Sequence, residues 1–298
     1  PQEAYAVQTL DATVRVLNKH HTGALEPRLP LDFVLHTGDA IDNAQHNELQ
    51  WFLSAMNGGV IVPDSGDLDG PGRPVAPEDN PKLAFEAEGL LPEIAWYGAR
   101  GNHDSLCVGV FGINRHSDDS LDWAAPVLRP LAAVVGLHEL DGDLNYLLPT
   151  SDASPAVILG DMDVADRETA GLDWEQLAPG VIPMDTERRF IDKEQFRASV
   201  CPQGLRYSVR PKADVPVRLI VLDTVAPQAI FGLPYDAGMM TRDQFDQFLR
   251  PEMEAARRAG EWVILVSHHP SSDFDILHPG YRVTTFEFRR YLAAQPNM

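Results

Sequence analysis

Three short clusters in this 298-residue chain bring together carboxylate, carboxamide and imidazole groups, side chains that bind divalent cations and move protons. They are Gly38-Asp39-x-x-Asp42-Asn43, Gly101-Asn102-His103-Asp104 and His268-His269-Pro270. A glycine directly ahead of Asp39 and of Asn102 permits the sharp turn that aims a short side chain into a cleft. Mixed oxygen and nitrogen donors suit Mn, Fe or Zn better than a metal selected by thiolate. The chemistry open to such a set is metal-assisted hydrolysis. Two divalent cations roughly 3.5–4 Å apart clamp the attacking and leaving oxygens of an in-line displacement, and a water between them becomes the nucleophile. An imidazole hydrogen-bonded to a carboxylate keeps its orientation and its proton, as a general acid requires.

Taken singly, each cluster has an ordinary structural reading. Gly-Asp is usually a turn and occurs four times, at 38–39, 66–67, 142–143 and 160–161. Only the first and the last follow an apolar run; Val157-Ile158-Leu159-Gly160-Asp161 competes with Asp39 and ranks below it. Asn-His can cap a helix, and His-His-Pro can be a structural corner. The order of the three clusters and their shared place after apolar runs weigh more than any one of them.

Those runs alternate with helical spacing, which is an α/β signature. Strands are expected at Asp32–His36, Ile94–Tyr97, Val217–Leu222 and Trp262–Val266, and helices at Tyr5–Lys19, Ala44–Met56 and Arg242–Ala259. The three clusters then stand at the C-terminal ends of strands, where open α/β sheets place their sites. Asn57–Pro92 is rich in Gly, Pro and Asp and reads as a surface excursion; Gly109–Pro202 reads as an insertion forming a wall or cap. Residues 1–298 are expected to form one domain carrying both insertions, without internal repeats.

Composition narrows the partners. With 24 Lys+Arg against 44 Asp+Glu the formal charge is −20, which disfavours a nucleic-acid or anionic-lipid surface. It leaves room for an anionic substrate if a metal supplies local positive charge. The 44% apolar fraction excludes a disordered chain, and no apolar run reaches the length of a membrane span. Cys107 and Cys201 leave a single bridge and two free thiols equally open. The five tryptophans read as core or wall residues, and the Asp-rich stretches 64–79 and 141–166, which lack an Asp-x-Asp-x-Asp-Gly loop, as solvated surface. No Gly-x-Ser-x-Gly elbow of an α/β hydrolase is present.

On its three clusters the chain resembles the calcineurin-like metallophosphoesterase superfamily. That family has ordered blocks: Asp-x-His, Gly-Asp-x-x-Asp/Asn, Gly-Asn-His-Asp/Glu, a His often followed by x-Pro, and Gly-His-x-His. The second block matches Gly38–Asp42, the third Gly101–Asp104 and the fourth His268-His269-Pro270. Asp42-Asn43-Ala44-Gln45 and Leu222-Asp223-Thr224 look like a bacterial, often exported branch. The resemblance implies a four-layer α/β/β/α sandwich that hydrolyses a small phosphomonoester or phosphodiester through two divalent metal ions. Asp39 would bridge the metals, Asn102 and His268 would bind the second, His103 would protonate the leaving oxygen, and Asp42 would orient His103. Asp104, His269 and Asn43 would support these residues or, for His269, touch substrate. The first and last blocks are missing, and both would fall beyond the ends, so the chain is expected to be a domain truncated at both ends that binds metal weakly and hydrolyses little. The alternative is a degenerate family member that serves as a protein-interaction scaffold.

Overall fold

A computed structural model describes residues 5–25, 30–63, 83–107, 109, 111–112, 137–140, 143–149, 191–225, 238–274 and 282–298. In chain order the described strands are β1 (Phe33–His36), β2 (Gly59–Ile61), β3 (Phe85–Ala87), β4 (Ala95–Gly98), β5 (Leu106–Cys107), β6 (Phe111–Gly112), β7 (Leu137–Leu140), β8 (Asp143–Pro149), β9 (Tyr207–Val209), β10 (Val217–Val221) and β11 (Trp262–Val266). The helices are α1 (Ala6–His21), α2 (His46–Asn57), α3 (Lys193–Val200), α4 (Arg250–Ala259) and α5 (Thr285–Ala293). The architecture is mixed α/β with small sheets. Gly160-Asp161, the Asp-rich stretch 64–79, Trp123 and Trp174 lie outside the described residues.

Two sheets position the clusters. In one, β1 runs parallel to β4, with His36 opposite Gly98. In the other, β10 is central, parallel to β11 and antiparallel to β9. Strand β10 is buried on both faces at Leu219, Ile220 and Val221, as a strand covered on both sides must be, while Arg218 pairs with Glu252 and Glu261. Val221 joins a core with Val14 of α1, Leu49 and Phe52 of α2, Phe196 of α3, Tyr207 and Val266, against which Leu35, Trp96 and Tyr97 also pack. Ile220 and Leu222 face the other way, into a core with Met240, Phe245, Leu249, Met253, Phe274 and Phe288. The first core therefore takes side chains from both sheets, and Tyr207 completes the link by donating its hydroxyl to Gly98 O at 2.9 Å.

Several elements differ in detail from the sequence expectation. Helix α2 begins at His46 rather than Ala44, because Ala44 takes a left-handed φ of 54° and the extended Gln45 exchanges capping bonds with Glu48. The helix expected from Arg242 opens as a π-turn over Gln244–Leu249, and Pro251, which lacks an N–H, sits where that turn passes into α4. In α1 the apolar spacing is right, but Asp11 and Asn18 also lie on its buried face. Asp11 accepts Glu88 N–H, while Asn18 accepts Leu91 N–H and donates to Gly89 O, which ties the helix to the 86–91 segment.

The end of the 109–202 stretch is core rather than wall: Ile191, Phe196, Val200 and Cys201 are all at most 2% exposed. Their spacing puts them on one face of α3 and its flanks, an apolar stripe short enough to be overlooked. Cys201 is a free thiol that donates to Gly98 O, and burial pushes its pKa up to about 12. Of the tryptophans, Trp51 and Trp96 pack on the core, whereas Trp262 is 57% exposed. Among the described residues no helix is long and apolar enough to cross a membrane.

Candidate functional site

Asp39 and Asp42 follow β1, Asn102 and His103 follow β4, and His268 follows β11, each at the C-terminal end of a strand with a parallel neighbour. The turn after β1 is tight. Gly38 has φ 108°, and a Cβ there would overlap the His268 ring. Gly101 is equally constrained, because a Cβ on it would overlap the Asp39 carboxylate. Asp39 itself takes φ 55°, a conformation that a short polar residue tolerates at modest cost and that turns its carboxylate toward the other loops.

The clamp that holds these loops is Asp104. Its carboxylate is 1% exposed and accepts four backbone N–H groups: Asp39 and Gly101 on Oδ2, at 3.0 and 2.7 Å, and Ala40 and Ile41 on Oδ1, at 2.8 and 3.2 Å. Burial pushes its pKa up to about 7, against the pull of the backbone donors.

Three donor atoms converge across the two sheets. His268 Nε2 lies 3.0 Å from Asn102 Oδ1 and 3.3 Å from Asp39 Oδ2. The orientation of each is fixed from behind. Asn102 Nδ2 donates to Gly109 O at 2.9 Å, leaving Oδ1 to face the site. His268 Nδ1 donates to Thr37 O at 2.9 Å, which leaves Nε2 as the atom that ligates or binds the second proton. Burial depresses the His268 pKa and raises that of Asp39. Their mutual attraction outweighs both effects, so His268 is raised overall and Asp39 lowered.

With Nε2 deprotonated, these atoms form an N,O,O donor set. Ligands held about 2.1 Å from a divalent cation stand roughly 3.0–3.4 Å apart in octahedral or tetrahedral geometry, and both distances from Nε2 agree. By those two distances Asp39, Asn102 and His268 are the residues that could hold one cation. Among the described residues no group of three or more His, Cys, Asp or Glu is placed to hold a metal, so this set depends on its asparagine.

Beside it stands a hydrogen-bonded imidazole–carboxylate pair. His103 Nδ1 donates to Asp42 Oδ1 at 2.7 Å, and His103 N–H donates to Asp39 Oδ1 at 3.1 Å. The Asp42 hydrogen bond raises the His103 pKa to about 9, against the opposing effect of burial. Asn43 steadies Asp42, with Nδ2 3.1 Å from Asp42 Oδ2 and 3.2 Å from Glu48 Oε1.

The sequence clusters thus meet in one place. His269 is 5% exposed and bonded to Thr224 Oγ1. Asp104 supports Asp39 and its neighbours through their backbone N–H groups. Sequence reasoning passed over Arg100, 1% exposed and paired with Asp223, and Glu48, which receives the Asn43 and Gln45 N–H groups. The available signal was a charged residue immediately before Gly-Asn-His-Asp, at the end of a strand. Comparison of the chain with protein-family models, curated proteins and solved structures finds no match.

Proposed function

We propose that the chain is a metal-dependent phosphoesterase domain that hydrolyses a small phosphomonoester or phosphodiester. The carrying observation is the approach of Asp39 Oδ2 and Asn102 Oδ1 to His268 Nε2, at 3.3 and 3.0 Å, beside the hydrogen-bonded His103–Asp42 pair. The core shared by the two sheets, with helical residues such as Met253 and Phe288 packed on the other face of β10, supports an α/β/β/α sandwich.

Asp39, Asn102 and His268 would hold a divalent cation. Such cations, Mn, Fe or Zn by ligand type, supply positive charge for phosphoryl oxygens and lower the pKa of a bound water. Everything else falls to the chain. His103, fixed through Nδ1, presents Nε2–H to the leaving oxygen, and Asp42 keeps it protonated to about pH 9. Asn43 and Glu48 hold Asp42 in place, and the His103 N–H keeps one Asp39 oxygen pointed at the loop.

The test is Mn²⁺ content and turnover of p-nitrophenyl phosphate and bis(p-nitrophenyl) phosphate. Asp39→Asn is expected to lose metal and turnover together. His103→Asn should slow turnover by about 10²-fold while Mn²⁺ stays bound. Equal loss of metal in His103→Asn sinks its role as the acid, and Mn²⁺ binding indifferent to Asp39 sinks the functional reading.

A further inference from the structure

Two consecutive residues at the end of β10 are tied to opposite sides of the candidate site. Asp223 takes a bidentate grip on Arg100, Oδ1 to Nε at 3.2 Å and Oδ2 to Nη2 at 3.1 Å. Arg100 opens the loop that bears Asn102 and His103, and its Nη1 donates to Ser105 Oγ at 3.0 Å, so one guanidinium holds both ends of that loop. Thr224 is 0% exposed and faces the other way. Its Oγ1 accepts His269 N–H at 3.2 Å and lies 3.0 Å from His269 Nδ1, which fixes the residue next to His268. The dipeptide is itself held by Gln244, which donates Nε2–H to Asp223 O at 2.8 Å and accepts Asp223 N–H at 2.9 Å.

Asn102 follows β4 and His268 follows β11, and these strands belong to different sheets. Among the described residues their backbones share no ladder that would fix one against the other. A buried ion pair is weak evidence of stability, since desolvation offsets much of the attraction. Its bidentate geometry is directional, however, and so is a hydroxyl bonded twice to one residue. We propose that Asp223 and Thr224 are positioning residues that set the separation between Asn102 and His268. Asp223 sets the Asn102 side through Arg100, and Thr224 sets the His268 side through His269. The inference rests on the functional reading above, because that separation matters only if the two side chains share a cation.

The test measures Mn²⁺ affinity by calorimetry, well below each variant's melting temperature, in wild type, Thr224→Val, Thr224→Ser and Asp223→Asn. Leu249→Ala serves as a control that loosens the apolar core without touching the dipeptide. Thr224→Val and Asp223→Asn are expected to bind Mn²⁺ about tenfold more weakly. Thr224→Ser should return to within about twofold of wild type, and Leu249→Ala should leave affinity unchanged. Wild-type affinity in Thr224→Val, or an equal loss in Leu249→Ala, overturns the proposal while leaving the metal site standing. If Asp223→Asn does not fold, Thr224→Val and its serine rescue decide alone. If wild-type Mn²⁺ binding ignores Asp39→Asn and Asn102→Ala, the functional reading fails instead. The crystal structure of Thr224→Val then decides the positioning role: it is upheld if His268 Nε2 has moved out of hydrogen-bond reach of Asn102 Oδ1, and overturned if the 3.0 Å contact is kept.

Discussion

The loops after β1 and β4 carry Asp39, Asp42, Asn102 and His103, whereas the loop after β11 carries His268 alone, and the two regions are held together by different forces. Around β1 and β4 the fixing interactions are directional: Asp104 gathers backbone N–H groups from two loops, and Asp39, one of the residues it binds, takes a positive φ. Behind β10 and β11 the strands rest on apolar packing, with Ile220, Leu222, Met240, Phe245, Leu249 and Met253 all 0% exposed. Directional bonds there are confined to the loops themselves, where Thr224 holds His269 and Thr37 O holds His268 Nδ1. Apolar packing tolerates small shifts of position, while a hydrogen-bond network keeps its geometry or loses its members. The difference teaches where precision is needed. The region that arranges four functional groups is built from the less forgiving interaction, and the region that presents one rests on a packed slab.

Deleting the centre of the polar network breaks that contrast hardest. Asp104→Ala removes the acceptor of the Asp39, Ala40, Ile41 and Gly101 N–H groups, and strands those of Ile41 and Gly101 in buried surroundings. Each orphaned donor costs about 1–3 kcal/mol, partly recovered by water entering the space, so a loss of about 4–5 kcal/mol is expected in urea unfolding at pH 7. Mn²⁺ affinity should fall with it, because Asp39 loses its backbone anchor. A loss under about 1 kcal/mol would show that the loops hold their shape without the carboxylate.

The apolar region should answer differently. Phe245 is 0% exposed and meets Tyr291 edge-to-face at 5.0 Å between ring centroids. Phe245→Ala is expected to cost about 3–4 kcal/mol through lost burial and the cavity left behind. Measured well below its lowered melting temperature, Mn²⁺ affinity should nonetheless equal that of wild type. A fall in affinity to match Asp104→Ala would erase the distinction between the two regions.

How much of this could be read beforehand follows the same division. The strands were legible because apolar runs such as Val217-Arg218-Leu219-Ile220-Val221 declare themselves, and the clusters because Gly-Asp and Gly-Asn-His-Asp follow those runs. What escaped is carried by single polar residues whose partners are distant in sequence. Nothing local marks Asp11 and Asn18 as the docking face of α1, or pairs Arg100 with Asp223 across 123 positions. The start of α2 was misplaced because Ala44, a strong helix former, is forced into the left-handed region by the loop before it. The core role of α3 was missed because its apolar stripe is only eight residues of helix plus its flanks.

The smallest expected effect sits between the two regions and tests whether burial alone separates them. His36 ends β1, packs edge-on against Phe52 with ring centroids 4.8 Å apart, and accepts Gly38 N–H on Nδ1 at 3.4 Å. Burial lowers its pKa to about 4, although Asp39 pulls the other way. The sign follows from proton counting. Above pH 6.5 the ring is neutral in both folded and unfolded chains, and it contributes no pH dependence. Below pH 6.5 the unfolded chain takes up a proton that the folded chain refuses, so stability falls with pH and levels off only below about pH 4. At pH 5 the loss should reach about 2 kcal/mol relative to pH 8, on the basis of a 1.36 kcal/mol equivalence per pKa unit. His36→Gln keeps a polar atom near Gly38 without a titrating group, so the difference between the two stability curves in metal-free protein isolates this residue. Parallel curves from pH 8 to pH 5 would mean that His36 is solvated as freely as in the unfolded chain, and that the polar region extends under β1 rather than ending at the Phe52 ring.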